Sequence, residues 1–431
     1  MVQAALPDLV LAYRRTGVVA LNVISAALDT DARTQGAQVH FARDAGAMVK
    51  AILDAQAAGR TAVCAWSFYS TDFDDCAADL QRVRREAPGA IHVAGGVHAT
   101  AEPRATLAAG FDLCALGEGE TTIIELFAAL REGRDPRALR GTASLDEAGG
   151  FVSHGPGERR PLDDFPAFNL RYQKCNALEI TRGCVYACSF CQTPYVFKAH
   201  FRHRSVGNVR EHVRAMRAMG GSGYVRFVTP TCLSYGSDDT SVNLAAVEAL
   251  LAAVREEIGA SGKIYFGTFP SEIRPEHVTP AAMEILRCYV DNRSLIIGGQ
   301  SGSERVLLAT RRGHDVADVV RAVEVAVRFG FRPDVDFLFG TPGETPDDRR
   351  ASLALAERLI GMGARIHNHS FLPLPGTPLR DREPEALEPE ISGAMLSLAG
   401  TGALYGQWQA QRIAADRLVR ARRAQRPPGS S

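Results

Sequence analysis

TRGCVYACSFCQTP, residues 181–194, sets Cys184, Cys188 and Cys191 within eight residues. The chain holds nine cysteines in 431 residues, an odd number with the other six scattered, so these thiols do not belong to a disulfide framework. Two kinds of centre use clustered thiols. Structural zinc takes four protein ligands, and His200 and His203 are the candidates to complete such a site. An iron–sulfur cluster on three thiolates leaves one iron open, which makes it a reactive centre rather than a structural one.

The flanking pattern places this loop. NALEI (176–180) reads as a strand that runs into the first cysteine. Downstream, helix-spaced segments alternate with YVRFV, KIYFG, SLIIGG, RPDVDFLFG and RIHNHSF, giving about six βα units. That is short of an eight-unit barrel and puts the cysteines at the carboxyl end of the first strand, the face where such barrels react.

Upstream, residues 1–145 alternate apolar runs of four to seven residues (DLVLA, VHFA, TAVCAWS, IHVAGG, DLCAL) with helical segments. Nearly continuous apolar strands imply a parallel sheet covered on both faces, a doubly wound Rossmann-like domain. Its ligands are expected beyond the carboxyl ends of the strands. Two glycine turns stand there, Gly95-Gly96 before His98 and Gly117-Glu118-Gly119. They permit close backbone approach to a ligand, or simply a tight turn. Cys64, Cys76 and Cys114 lie in or beside apolar elements and read as core, and Cys175 reads as a structural or an exposed free cysteine. Residues 146–174, rich in Gly, Pro and charge, read as a bridge containing part of a hairpin. The second domain is expected over 175–382, and a helical segment with a disordered Pro-Gly-Ser tail over 383–431.

Composition sets outer bounds. Hydrophobic residues make up 46%, and Lys plus Arg balances Asp plus Glu at 49 each. There is no bulk charge to draw the chain to nucleic acid. No run of 18 apolar residues occurs, and MVQAALPDLVLAYRRTG reads as strand and loop rather than a leader. A cytoplasmic protein without a membrane span is expected.

Cys-x3-Cys-x2-Cys, with Phe190 before the last cysteine, resembles the signature of radical S-adenosylmethionine (SAM) enzymes. The resemblance implies a [4Fe–4S] cluster on Cys184, Cys188 and Cys191, SAM on the open iron, and reductive cleavage to a 5′-deoxyadenosyl radical. It also implies a partial barrel and a reductant such as flavodoxin or ferredoxin. QSGSERVL (300–307), RRGH (311–314), FLFGTPGET (337–345) and PLPGTPL (373–379) are similar to the radical domain of methylthiotransferases. By that likeness Gly298, Gly299, Gln300 and Ser301 lie close to SAM, with Thr229 and Glu272 as further cofactor contacts. Their other reading is ordinary turns and satisfied polar groups. Methylthiotransferases carry a cysteine-bearing amino-terminal domain and a carboxyl-terminal RNA-binding barrel, and neither is evident here.

Residues 5–140 instead resemble the cobalamin-binding domain fused to many radical enzymes, through AWSFYSTD, IHVAGGVHATAEP and LCALGEGETTIIEL. The Asp-x-His-x-x-Gly motif that supplies a lower cobalt ligand is missing, and the loop after the first strand, YRRTGVVALN, holds no histidine. The resemblance implies a cobalamin with no protein histidine on cobalt, contacted by Ser70, Thr71, Gly95, Gly96, His98, Gly117, Glu118 and Gly119. It further implies methyl transfer from methylcobalamin to an unactivated centre of a small-molecule or peptide substrate. Tyr235, His367 and His369 are the candidate catalytic groups, with Tyr69 and Glu344 in the same candidate cavity. The alternatives are radical chemistry without methylation, such as rearrangement or sulfur insertion, and a non-catalytic iron–sulfur electron-transfer or scaffold protein.

Overall fold

The computed structural model describes residues 4–220 and 223–425. The tail expected beyond 425 lies outside the described residues. The chain divides into two compact units, Met1–Asn176 and Ala177–Ser431.

The first unit is one seven-stranded sheet. Its strands are β1 (Asp8–Ala12), β2 (Val39–Ala42), β3 (Ala62–Ser67), β4 (Ile91–Gly95), β5 (Leu113–Ala115), β6 (Thr142–Leu145) and β7 (Phe151–Ser153). The order is β2-β1-β3-β4-β5-β6-β7. The first five are parallel and the last two antiparallel. Chain order reverses between β1 and β3, which opens a crevice at their carboxyl ends. Successive residues serve opposite faces, as strand alternation requires. Val10, Cys64, Trp66, Ala94 and Cys114 pack with helices Ala45–Ala57 and Phe73–Glu86. Leu9, Leu11, Val63, Val93 and Leu113 pack on the other face with helices Val18–Ala27 and Glu120–Arg131. Trp66 is 2% exposed, edge-on to Phe111, with its indole N–H on His92 Nδ1. Truncating it to alanine would remove about 3–5 kcal/mol.

Residues 146–174, expected as a bridge, pack as part of this unit. β7 closes the sheet edge, the Asn169 amide donates to Ser25 Oγ (2.9 Å), and Val39 N donates to Tyr172 Oη (3.0 Å).

The second unit contains β8 (Leu178–Glu179), β9 (Thr181–Arg182), β10 (Arg202–His203), β11 (Tyr224–Val228), β12 (Lys263–Tyr265), β13 (Ser294–Gln300), β14 (Arg332–Phe339), β15 (Arg365–Ser370) and β16 (Leu404–Tyr405). Two parallel arrays, β12-β11-β8 and β13-β14-β15-β16, make the partial barrel, and β9 and β10 form a short antiparallel ribbon. The arrays are joined by the Ile273–Ile297 bridge and by Ile296 N to Gly267 O (2.8 Å). The segment after 382, expected to be helical before its tail, also supplies β16, between helices Pro389–Gly400 and Trp408–Gln425. Val335, Phe337, Phe339 and Ile366 are buried against helices Val316–Arg328, Pro346–Gly361 and Pro389–Gly400. The alternate residues Asp334, Asp336, Arg365, His367 and His369 therefore line the opposite face, the barrel interior. Capping boxes at Asp315/Asp318 and Thr345/Asp348 start two of the covering helices. Among the described residues no helix is long and apolar enough to cross a membrane.

Candidate active site

The cysteine loop begins at a position only glycine can hold. Gly183 has φ +84°, and a Cβ there would sit 1.9 Å from the His200 carbonyl oxygen. Ala187 is also left-handed, at φ 52°. The loop is then tied to distant segments. Ser189 N donates to Thr310 O (3.0 Å), Gln192 Nε2 to Pro375 O (2.8 Å), and the Tyr195 hydroxyl to Ala187 O (2.9 Å). The phrases around 304–312 and 373–379 thus meet the cysteines in space.

Burial pushes the Cys184 thiol up to about 11 and raises that of Cys191, with neighbouring cysteine charge adding to both. The protein alone does not favour the thiolate at Cys184 or Cys191, whereas a bound cation would. Among the described residues, the one group of three or more ligand side chains with donor atoms all within 4.8 Å is Asp336, His367 and His369. At least one pair of the three sulfurs is therefore more than 4.8 Å apart, wider than the spacing around a single tetrahedral ion. The zinc alternative also lacks its completing ligands. His203 has both ring nitrogens engaged, by Thr181 Oγ1 (2.9 Å) and Ser237 O (2.8 Å), and His200 is exposed.

Arg312 connects the thiols to the SAM-side phrases. Its Nη1 donates to Cys188 Sγ (3.3 Å) and its Nη2 to Gly298 O (2.7 Å), and it lies over the Phe190 ring. A Cβ on Gly298 would come within 3.0 Å of both Arg312 Nη2 and Gln300 Nε2. His314 Nε2 lies 3.1 Å from Gly299 O; burial lowers its pKa to about 4, so the neutral ring donates that proton. Ser301 Oγ meets Ser352 Oγ (3.0 Å). Gln300 itself has φ 70° at a bulge in the β13–β14 ladder, which turns residues 298–301. Arg312 and His314 went unpicked in the sequence, although RRGH contains both.

Deeper in the interior, His367 Nδ1 lies 2.8 Å from Asp336 Oδ1, and His369 Nε2 lies 3.2 Å from His367 Nδ1. Burial would raise the Asp336 pKa, but its bonds to the two imidazoles hold it below the ordinary carboxylate range. Burial and the Asp336 charge push Glu272 up to about 7, while His369 and Arg312 pull it the other way. Thr229 Oγ1 donates to Thr231 O (3.1 Å). Tyr235 is 3% exposed and its hydroxyl donates to Arg204 O (2.7 Å). Glu344 accepts from Gly340 N (2.7 Å), leaves Oε1 unpartnered, and is pushed up to about 7 by burial.

In the first unit the predicted residues stand at the carboxyl ends of β3, β4 and β5, with Gly96 and His98 in the short helix Gly96–Ala101. His98 is 5% exposed, stacks on Phe73 at 4.4 Å, and pairs through Nδ1 with Ser70 Oγ (2.9 Å). Burial lowers its pKa to about 4, and its Nε2 has no partner. Gly96 (φ +83°) leaves no room for a Cβ, which would meet Ser67 Oγ at 2.9 Å. Gly117 N donates to Thr100 Oγ1 (3.0 Å), linking the two glycine turns. Glu118 is buried, with Arg159 at 3.7 Å, while Thr71 and Tyr69 are exposed. Cys64, Cys76 and Cys114 are core residues, at most 1% exposed. A cavity of about 500 Å³ opens at the carboxyl ends of β1 and β2, lined by Arg14, Arg15, Arg43, Asp44 and Asp72 among others. The sequence reading missed it, because its walls come from three separate loops.

Residues 178–356 match the radical SAM superfamily, and residues 14–127 match the B12 binding domain. An uncharacterized protein of Methanopyrus kandleri is 25% identical over 332 residues, 66% of this chain and 61% of that protein. The tRNA-2-methylthio-N(6)-dimethylallyladenosine synthase of Paracoccus denitrificans is 28% identical over 229 residues, 51% of this chain and 46% of the synthase. The chain thus spans roughly half the length of these curated relatives. Among solved structures, the radical SAM methyltransferase TsrM from Kitasatospora setae, with cobalamin and a [4Fe-4S] cluster bound, aligns with TM-score 0.65 at 20% identity. That alignment covers 87% of this chain and 74% of TsrM. The cobalamin-dependent SAM radical enzyme OxsB, with aqua-cobalamin bound, aligns with TM-score 0.66 at 17% identity, covering 82% of this chain and 52% of OxsB. These likenesses extend across both units and establish the shared fold. The chain therefore carries a B12-binding domain over residues 14–127 followed by a radical SAM domain over residues 178–356.

Proposed function

We propose that the protein uses a [4Fe–4S] cluster, SAM and cobalamin to methylate an unactivated centre of a small-molecule or peptide substrate. The observation that carries this reading is the three-cysteine loop, too wide for one ion and bonded through Arg312 to Gly298, in a chain that also has a B12-binding domain. When bound, the cofactors would supply one-electron cleavage of SAM to a 5′-deoxyadenosyl radical, and a transferable methyl group.

The chain's own part is to bind, orient and exclude water. Cys184, Cys188 and Cys191 hold the cluster. The Arg312 N–H on Cys188 Sγ stabilises negative charge on that sulfur. Residues 298–301 offer a turned backbone edge to SAM, and Thr229 and Glu272 line the same interior. A carboxyl titrating near neutrality, as Glu272 does, is suited to taking or returning a proton at pH 7. In the first unit, Ser70, Thr71 and the glycine turns with His98 and Glu118 are the contacts for the cobalamin. The guanidinium and carboxylate lining of the nearby cavity suits a ligand edged with amides and a phosphate. No histidine stands on the loop after β1, so that loop would offer no imidazole to a bound cobalamin. A flavodoxin or ferredoxin in a reducing cytoplasm would supply the electron.

Anaerobic reconstitution with iron, sulfide and hydroxocobalamin, followed by dithionite and SAM, tests the reading. About four irons and one corrin per chain are expected, with 5′-deoxyadenosine and S-adenosylhomocysteine both released. The Cys188→Ala chain should lose the cluster absorption and both products. Cleavage of SAM with no retained corrin would sink methyl transfer. It would favour the second reading, sulfur insertion, which rests on the similarity to the methylthio-synthase. A stable cluster with no cleavage would leave an electron-transfer or scaffold protein.

A further inference from the structure

We propose that Asp336, His367 and His369 form a binding site for one divalent transition-metal ion, separate from the cysteine loop, in the interior of the second unit. The backbone prepares the site. In the parallel β14–β15 ladder Asp336 is paired with His367, and His369 follows two residues on, so all three share the interior face. Their residues of opposite parity, Val335, Phe337 and Ile366, are sealed against the helices.

The donor atoms describe a triangle. Asp336 Oδ1 to His367 Nδ1 is 2.8 Å, His367 Nδ1 to His369 Nε2 is 3.2 Å, and His369 Nε2 to Asp336 Oδ1 is 3.8 Å. Three adjacent ligands around one ion, with bonds of about 2.1 Å, span a triangle of this size. Two imidazoles and one carboxylate on one face are also a known donor set for divalent iron and its neighbours, with further positions left for oxygen ligands. Access is adequate, since the two histidine side chains are 24% and 28% exposed while the carboxylate is 5% exposed.

Charge argues the same way. The two imidazoles are the partners of the buried Asp336 carboxylate, whereas the nearby Arg365 is taken by Asp334. Both rings aim a nitrogen at the same oxygen, and those nitrogens are 3.2 Å from each other, so two ring protons cannot both lie in that space. A cation in place of the protons satisfies all three atoms.

A second layer comes from the carboxyl-terminal segment. Tyr405 stacks on the His367 ring at 4.6 Å and 12°. Gln411 Nε2 donates to His369 Nδ1 (3.1 Å), and its Oε1 accepts from Ser370 N (2.9 Å). In the metal-free protein the His369 proton therefore sits on Nε2. Metal binding moves it to Nδ1, and Gln411 must present its oxygen there. A glutamate at 411 would accept that proton without turning.

Equilibrium dialysis of the cluster-loaded full chain against micromolar Zn²⁺, read by metal analysis, tests the site without SAM, cobalamin or substrate. Its outcome is thus distinct from that of the proposed radical chemistry. One zinc per chain is expected beyond the cluster iron. D336N, H367A and H369A should each weaken binding about 100-fold with iron content unchanged, and Gln411→Glu should tighten it about tenfold. No zinc retained by the wild-type chain, or equal retention by H369A, would overturn the proposal. Where a ligand variant fails to fold, by its melting curve, the Gln411→Glu chain decides alone: unchanged affinity overturns the site and tighter binding supports it.

Discussion

Both units are parallel sheets wrapped by helices, yet they treat their histidines in opposite ways. His92 and His98 of the first unit are sealed among Trp66, Phe68, Phe73 and Phe111, and burial lowers both to about 4. His367 and His369 of the second unit stand half-buried beside a carboxylate. An open sheet with helices on both faces must keep both faces apolar, so its chemistry is confined to the loops at the strand ends. A curved partial barrel keeps one face free of helices and can carry charge along its strands. The first unit is therefore expected to tolerate apolar replacement of an inner histidine, and the second to depend on each charged group.

The largest expected effect is at Gly183. Gly183→Ala forces a Cβ into the His200 carbonyl, costing upwards of about 3 kcal/mol locally and abolishing iron uptake, read as iron per chain after reconstitution. Next is Arg312→Met, which leaves Gly298 O and Cys188 Sγ without their donor. A loss of about 2–3 kcal/mol in denaturant unfolding is expected, with a cluster midpoint potential that becomes more negative, read by potentiometric titration.

Glu344→Gln probes the charged interior through pH. The folded Glu344 carboxyl titrates near 7 against an ordinary value of 4.5, so between those values the folded chain holds a proton that the unfolded chain has released. Its contribution is full below about pH 4.5 and is lost as pH rises through 7. From pH 5 to pH 8 the wild type should lose about 2 kcal/mol relative to the Gln variant, measured by urea unfolding at both pH values. The smallest effect is expected at His98. His98→Phe keeps the stacking on Phe73 and should change stability by no more than about 1 kcal/mol, measured by urea unfolding. A large loss there would erase the contrast between the units.

The parts of the molecule legible in sequence were those written contiguously. The cysteine triplet, the glycine turns and the apolar strand runs each fit within a dozen residues, so spacing alone reports them. Arg312 was hidden because its partners, Cys188 and Gly298, lie 124 and 14 residues away. Asp336 was hidden because its meaning depends on the β14–β15 register, which sets it beside His367. Period-two spacing did put His367 and His369 on one face, but no local signal named their carboxylate. Residues 146–174 read as a bridge from their Gly, Pro and charge, whereas Asn169 and Tyr172 make them part of the first unit.

The ties on the cysteine loop also bear on biogenesis. Ser189 is held by Thr310, Cys188 by Arg312 and Gln192 by Pro375, all contributed well over a hundred residues later. During synthesis the three thiols leave the ribosome long before the residues that shape their loop. A cluster that needs the native loop would thus be inserted only after residue 375 has been made, and a chain truncated before residue 310 would present the same cysteines to iron without the scaffold that holds them.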